Sequence, residues 1–168
     1  MTRRDVAARL RAQPGAARPS AGETFDELFL RERQAMVRVA YLIAGSTAVA
    51  EEVTHDAFVT VYERWDRLDQ PGAYLRRCVV NGAMRATRRR RHGERLEAAD
   101  PPPEAVRPAH DHTLDAVHRL APRARSLVVL RYYAQLTVQE IADVLQIPPG
   151  TVKSGLHRAL AELREVLV

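Results

Sequence analysis

Three consecutive prolines, Pro101, Pro102 and Pro103, with Pro108 just beyond, interrupt a chain that from Thr24 onward otherwise reads as helix. Proline has no backbone N–H to donate and its ring clashes with the preceding turn. Such a run therefore ends any helix and favours an extended, stiff spacer. The stretch from Glu94 to Asp111 is also acidic and lies two residues beyond the unbroken basic run Arg88 to Arg91. A chain of 168 residues can form one ordinary domain or two small helical ones, and its 46% hydrophobic content is enough for packed cores. The proline break selects two. The expected architecture is all-α: a mobile tail over 1–23, a helical domain over 24–92, a Pro-rich acidic linker over 93–111 and a second helical domain over 112–168.

Local signals punctuate both halves. Thr24 and Glu27 have capping-box spacing, and Phe25, Leu28, Phe29, Met36, Val39, Ala40 and Ile43 follow at helical intervals. Gly45 is a natural stop, and Ser46 or Thr47 can cap the next helix. In that helix Ala50, Val53, Ala57, Val61, Trp65 and Leu68 mark one face, which runs on to the turn Asp69-Gln70-Pro71-Gly72. A third helix from about Gly72 to Arg91 has Leu75, Cys78, Val79, Ala83 and Ala86 as its expected buried side. Beyond the linker, Leu114, Val117 and Leu120 form a short stripe, and Pro122 suits the first position of a helix. Thr137 and Glu140 make a second capping box. After the turn Gln146-Ile147-Pro148-Pro149, Val152, Leu156, Leu160, Leu163 and Leu167 lie along one face of a last helix.

Composition narrows the function. The net charge is +5, which favours a polyanionic partner, either nucleic acid or an acidic membrane surface. All 26 basic residues except Lys153 are arginine, a bias that a GC-rich genome explains as well as function does. The lone Cys78 can form neither an internal disulfide nor a thiolate zinc site, which fits a reducing cytoplasm. No apolar run approaches the roughly 18 residues of a membrane span, and the N-terminal stretch lacks the apolar core of a secretory signal. A cytoplasmic chain without stable membrane insertion is expected.

The segment from Thr137 to Leu160 has the pattern of a helix-turn-helix. A short capped helix carries Ile141, Ala142 and Leu145 where it would cross its partner. The second helix buries Val152, Leu156 and Leu160 and turns Thr151, Lys153, Ser154, His157 and Arg158 outward, all able to donate hydrogen bonds to phosphates or base edges. Periodicity alone fits an ordinary helical hairpin equally well. The wider stretch LAPRARSLVVLRYYAQLTVQEIADVLQIPPGTVKSGLHRALAELREVL resembles region 4, the C-terminal promoter-binding domain of extracytoplasmic-function (ECF) sigma factors in the sigma-70 family. The segment from Phe25 to Arg91 resembles their region 2. Ala50-Glu51-Glu52-Val53 through Ala57-Phe58 is similar to one family stretch, and Tyr74-Leu75-Arg76-Arg77, then Asn81, then Arg88-Arg89, to another.

The resemblance implies a promoter-recognition subunit, not an enzyme, that needs no cofactor of its own. Its partners would be core RNA polymerase, promoter DNA and commonly an anti-sigma factor. Glu51, Glu52 and Asp56 would dock on the clamp-helix coiled coil of the polymerase's largest subunit. The loop from Asp66 to Ala73 and the helix after it would capture the opened strand of the minus-ten element. Arg76, Arg77 and Asn81 would contact that strand, while Arg85, Arg88 and Arg89 hold phosphates. Tyr74 and Trp65 are expected as core residues. Thr151, Lys153, Ser154, His157 and Arg158 would read the minus-thirty-five element, with Arg123 and Arg125 on phosphates. Two positions depart from the family pattern: Arg85 stands where Asp is frequent, and Gly155 where a long polar residue is frequent. The glycine would either allow close approach to DNA or remove a contact from it.

Three other readings remain. An autonomous helix-turn-helix regulator would need a dimer to read two half-sites, and no dimer stripe is evident. A metal enzyme could draw on His55 and Asp56, or on His110, Asp111, His112, Asp115 and His118, but the latter group straddles the linker. A membrane binder could use the run from Arg85 to Arg91, which lacks bulky apolar neighbours.

Overall fold

The computed structural model describes residues 22–93 and 112–167, and every element within them is helical. The expected N-terminal tail and the Pro-rich linker lie outside these residues, apart from their edges. The described residues fall into two compact units.

In the N-terminal unit, α1 (Phe25–Ala44), α2 (Thr47–Glu63) and α3 (Pro71–Gly93) pack pairwise on one another. The Thr24 hydroxyl accepts from the Glu27 N–H at 3.3 Å, and the Glu27 carboxylate accepts from the Thr24 N–H at 2.8 Å. These reciprocal bonds satisfy donors that the first turn would leave open, and they hold Glu27 below the ordinary carboxylate range. Gly45 ends α1 at φ 70, the left-handed conformation glycine adopts without strain, and its N–H reaches the Tyr41 carbonyl. Ser46, not Thr47, caps α2.

The structure corrects two sequence expectations here. The apolar face of α2 does not run on helically to Leu68. The helix ends at Glu63, and a single 3-10 turn, Trp65–Arg67, follows. The tighter Arg67 N–H to Arg64 carbonyl bond (2.8 Å) keeps the backbone paired, and the Trp65 ring lies edge-on to Phe25 at 5.6 Å. On α3 the buried residues are Leu75, Val79, Val80, Ala83 and Ala86, while Cys78 is half-buried. Val80 faces the core in its place.

In the C-terminal unit, α4 (His112–Arg119), α5 (Pro122–Val128) and α6 (Val138–Leu145) all pack on α7 (Pro149–Leu167). Pro122 opens α5 as expected. A π-helical turn, Val129–Tyr133, widens the end of α5 and buries Val129, Leu130, Tyr132 and Tyr133. Along α7 the buried set is Val152, Leu156, Ala159 and Leu163, with Leu160 and Leu167 half-buried. A spacing of four drifts by about 40° per step at 3.6 residues per turn, so the expected line through Leu160 leaves the core and Ala159 replaces it.

Candidate nucleic-acid interface

In the N-terminal unit an open groove of about 750 Å³ runs between α2 and α3. Gly82 allows the two helices to come close. A Cβ at that position would stand 2.7 Å from Val53 Cγ1, inside any tolerable contact. The groove's two walls are opposite in charge: Glu52 and Asp56 come from α2, and Arg77, Asn81, Arg85 and Arg89 from α3. Glu52, Asp56, Arg77, Arg85 and Arg89 are all exposed, and Asn81 is half-buried. Among the described residues no ion pair crosses the groove. Glu51 and Arg88 are exposed but do not line the groove.

Arg76 is not with this set. Its Nη1 is fully buried, its charge acts on Glu32 of α1, and it approaches the first turn of α3 at Gly72. Helical geometry explains the difference, because neighbours in sequence point about 100° apart. Arg77 faces the groove and Arg76 faces α1. Tyr74 is half-buried, as is Trp65, and it lines the groove. The Arg64 guanidinium donates to the Tyr74 hydroxyl at 2.9 Å and lies 5.9 Å from the ring centroid. Nothing in the sequence pointed to Arg64, because the face drawn through Leu68 hid the end of α2. The Cys78 thiol beside Tyr74 is held above its ordinary range by burial, against the pull of the Tyr74 hydrogen bond and of Arg64, Arg85 and Arg77.

In the C-terminal unit the Thr137–Glu140 capping box forms, with the Thr137 N–H donating to the Glu140 carboxylate at 2.8 Å. Gln146 ends α6 in the left-handed conformation at φ 53, and the Pro148 carbonyl accepts from Thr151 and Val152 at the start of α7. This tight turn presents Lys153, Ser154, His157 and Arg158 to solvent, with Thr151 half-buried at the edge of the strip. The Arg158 Nε donates to the Ser154 carbonyl at 3.4 Å. All five expected readers thus share one face, opposite Val152, Leu156 and Ala159. Arg123 is exposed. Arg125 donates to the His118 carbonyl at 3.5 Å.

A Cβ at Gly155 would stand 2.4 Å from Leu127 Cδ1 on α5, so the glycine serves the packing of α7 on α5. Leu127 is buried and has little room to give. Gly155→Ala gains about 1 kcal/mol of helix propensity but overpacks the contact at about 1–3 kcal/mol. A net loss of about 1 kcal/mol is expected in urea titration, with DNA affinity of the folded protein unchanged.

Among the described residues no three His, Cys, Asp or Glu side chains are placed to hold a metal ion. His110 and Asp111 lie outside them. The half-buried His118 is held below its ordinary range by burial and by Arg125, partly countered by Asp115. No helix among the described residues is long and apolar enough to cross a membrane.

Comparison with known proteins accounts for both units. Residues 28–93 match the family model for sigma-70 region 2, and residues 113–163 match that for sigma-70 region 4. The chain is 36% identical over 157 residues to an RNA polymerase sigma-E factor of Streptomyces coelicolor, covering 88% of this chain and 89% of the relative. It is 32% identical to the ECF RNA polymerase sigma factor SigE of Mycolicibacterium smegmatis, covering 90% of this chain and 63% of the relative. The fold matches that of the sigma factor RpoE of Bartonella quintana, solved in complex with the anti-sigma factor NepR. The TM-score is 0.62 at 21% identity, covering 85% of this chain and 96% of that one.

Proposed function

The chain belongs to the sigma-70 family as an RNA polymerase sigma factor of the ECF type, and from that premise we propose how its surfaces divide the work of promoter-specific initiation. The exposed acids Glu51, Glu52 and Asp56 dock the N-terminal unit, residues 24–92, on basic residues of the core polymerase clamp. Arg77 and Asn81 contact the opened non-template strand at the minus-ten element, and Arg85, Arg88 and Arg89 hold its phosphates. The exposed strip of α7, Thr151, Lys153, Ser154, His157 and Arg158, reads the minus-thirty-five duplex from the C-terminal unit, residues 112–168. Arg76 supports this surface from behind.

The observation that carries this reading is the groove with an acidic wall on α2 and a basic wall on α3, unbridged by any ion pair among the described residues. Docking and strand capture then use adjoining faces of one small unit, so the protein engages DNA where the polymerase holds it. Flipping a base costs unstacking energy, which contacts in the site must regain. Arginines along the backbone supply a sequence-independent attraction that salt weakens. The chain acts as an initiation factor and not as an enzyme, because the catalytic magnesium belongs to polymerase. Its place of action is the cytoplasm. An anti-sigma partner, such as the one solved with the Bartonella relative, would regulate it by covering these faces. Duplex binding without polymerase is not favoured, since it leaves the region 2 unit without a role.

Salt dependence tests the basic wall. Each phosphate contact to a single strand contributes about 0.7 to the slope of log affinity against log salt. Arg85→Ala with Arg89→Ala is expected to lower that slope by about 1.4 for holoenzyme on a minus-ten single strand. An unchanged slope removes these residues from the strand interface.

A further inference from the structure

Glu32 on α1 is a carboxylate with no exposed surface, placed between Leu28 and Met36 on the core face. One oxygen accepts from Arg31 Nε at 3.0 Å, and the other, Oε2, is buried and accepts no hydrogen bond among the described residues. Arg31 is also paired with Glu23 at 2.6 Å. Arg76 of α3 adds its own attraction to Glu32, although burial still raises the carboxyl above its ordinary range. Both arginines converge on one backbone point. Arg31 Nη2 and Arg76 Nη1 each lie 3.8 Å from where a Cβ on Gly72 would stand. Gly72 is in the first turn of α3, immediately after the loop that follows α2. A buried charge is costly unless partners surround it. Here they surround it only if the first turn of α3 sits where Arg76 can reach α1.

We propose that Glu32 is a positioning residue for strand capture: with Arg31 and through Arg76 it locks the first turn of α3 and the loop before it against α1. The proposal rests on the reading of α3 as the strand-capturing helix. A network that is buried and charged holds a single arrangement, because any shift leaves a charge uncompensated. Arg77 and Asn81 follow Arg76 within two turns on the same helix, so their placement depends on that arrangement. Burial outweighs the pull of both arginines on Glu32, so neutralising it relieves a desolvation cost that offsets the lost attraction, and stability changes little while the geometry loosens.

The test uses full-length protein assembled with core polymerase. Its affinity is measured for a fluorescent single strand copied from just upstream of a start site that this protein directs, and separately for the duplex upstream element. Glu32→Gln is expected to weaken single-strand binding about tenfold, with duplex affinity, core affinity and melting temperature unchanged. Arg76→Gln should show the same loss, and the double variant no more than either alone, because the two act as one unit. The control is Arg77→Ala with Asn81→Ala. If the control loses strand binding and Glu32→Gln does not, the positioning role is overturned and strand capture by α3 stands. If the control binds normally, strand capture by α3 is itself overturned, and the proposal with it. If Glu32→Gln lowers melting temperature and all affinities together, Glu32 is a packing residue only and the proposal fails.

Discussion

Glu52→Lys combined with Asp56→Lys is expected to abolish binding to core polymerase while leaving the protein folded. Both side chains are exposed on α2, one turn apart, on the acidic wall of the groove. Among the described residues neither forms an ion pair, so reversing them breaks no partnership there. Against a basic partner, each reversal replaces an attraction by a repulsion. Like-charge juxtaposition at an interface costs several kcal/mol, so the pair should weaken core affinity by about 100-fold or more. Anisotropy of labelled protein titrated with core gives the affinity, and circular dichroism on melting reports the fold. Wild-type affinity in a folded double variant removes this wall from the polymerase interface.

His157→Ala combined with Arg158→Ala is expected to remove discrimination of the upstream element and to spare core binding. Both residues are exposed on α7 and their side chains hold no part of the core. Arg158 Nε donates to the Ser154 carbonyl in its own helix, at 3.4 Å. A well-placed contact to a base edge discriminates by about 1–3 kcal/mol. Two such losses correspond to about 30- to 25,000-fold in preference for an intact over a scrambled upstream element. Competition between two such templates in a single transcription reaction measures this directly. Retained preference would move readout to Thr151, Lys153 and Ser154. Loss of core binding as well would mean that the variant has misfolded.

On the proposed reading the two double substitutions act on different units. The acidic and basic walls belong to helices closed around Gly82, and the reading strip belongs to a helix held by Leu127, Val152 and Leu163 in another core.

Local chemistry was legible before the structure. Two Thr-x-x-Glu boxes, a left-handed glycine at 45 and a proline at 122 all lie where their short-range geometry requires. The strip on α7 was legible for the same reason, since helical spacing alone separates Lys153, Ser154, His157 and Arg158 from Val152 and Leu156. What was hidden depends on contacts between elements. The end of α2 at Glu63 and the turn of Trp65 onto Phe25 arise from packing against α1. Whether Arg76 or Arg77 faces the groove depends on where α1 lies, and so does the burial of Val80 over Cys78. Gly155 reads as a feature of the proposed DNA face because Lys153 and Ser154 beside it are placed there. Only the approach of Leu127 shows that it faces inward. Glu32 did carry a readable signal. Its position four residues after Leu28 and four before Met36 places it on the buried stripe, but an acid there reads as an interruption until its arginine partners are in view.

Run-off transcription tests the central claim most directly. Core polymerase from the native host or a close relative is mixed with fragmented genomic DNA, with and without the protein, and the 5′ ends of the transcripts are sequenced. The account predicts new start sites that appear only with the protein and share two spaced upstream motifs. An unchanged set of start sites, from a protein that demonstrably binds core, would contradict it.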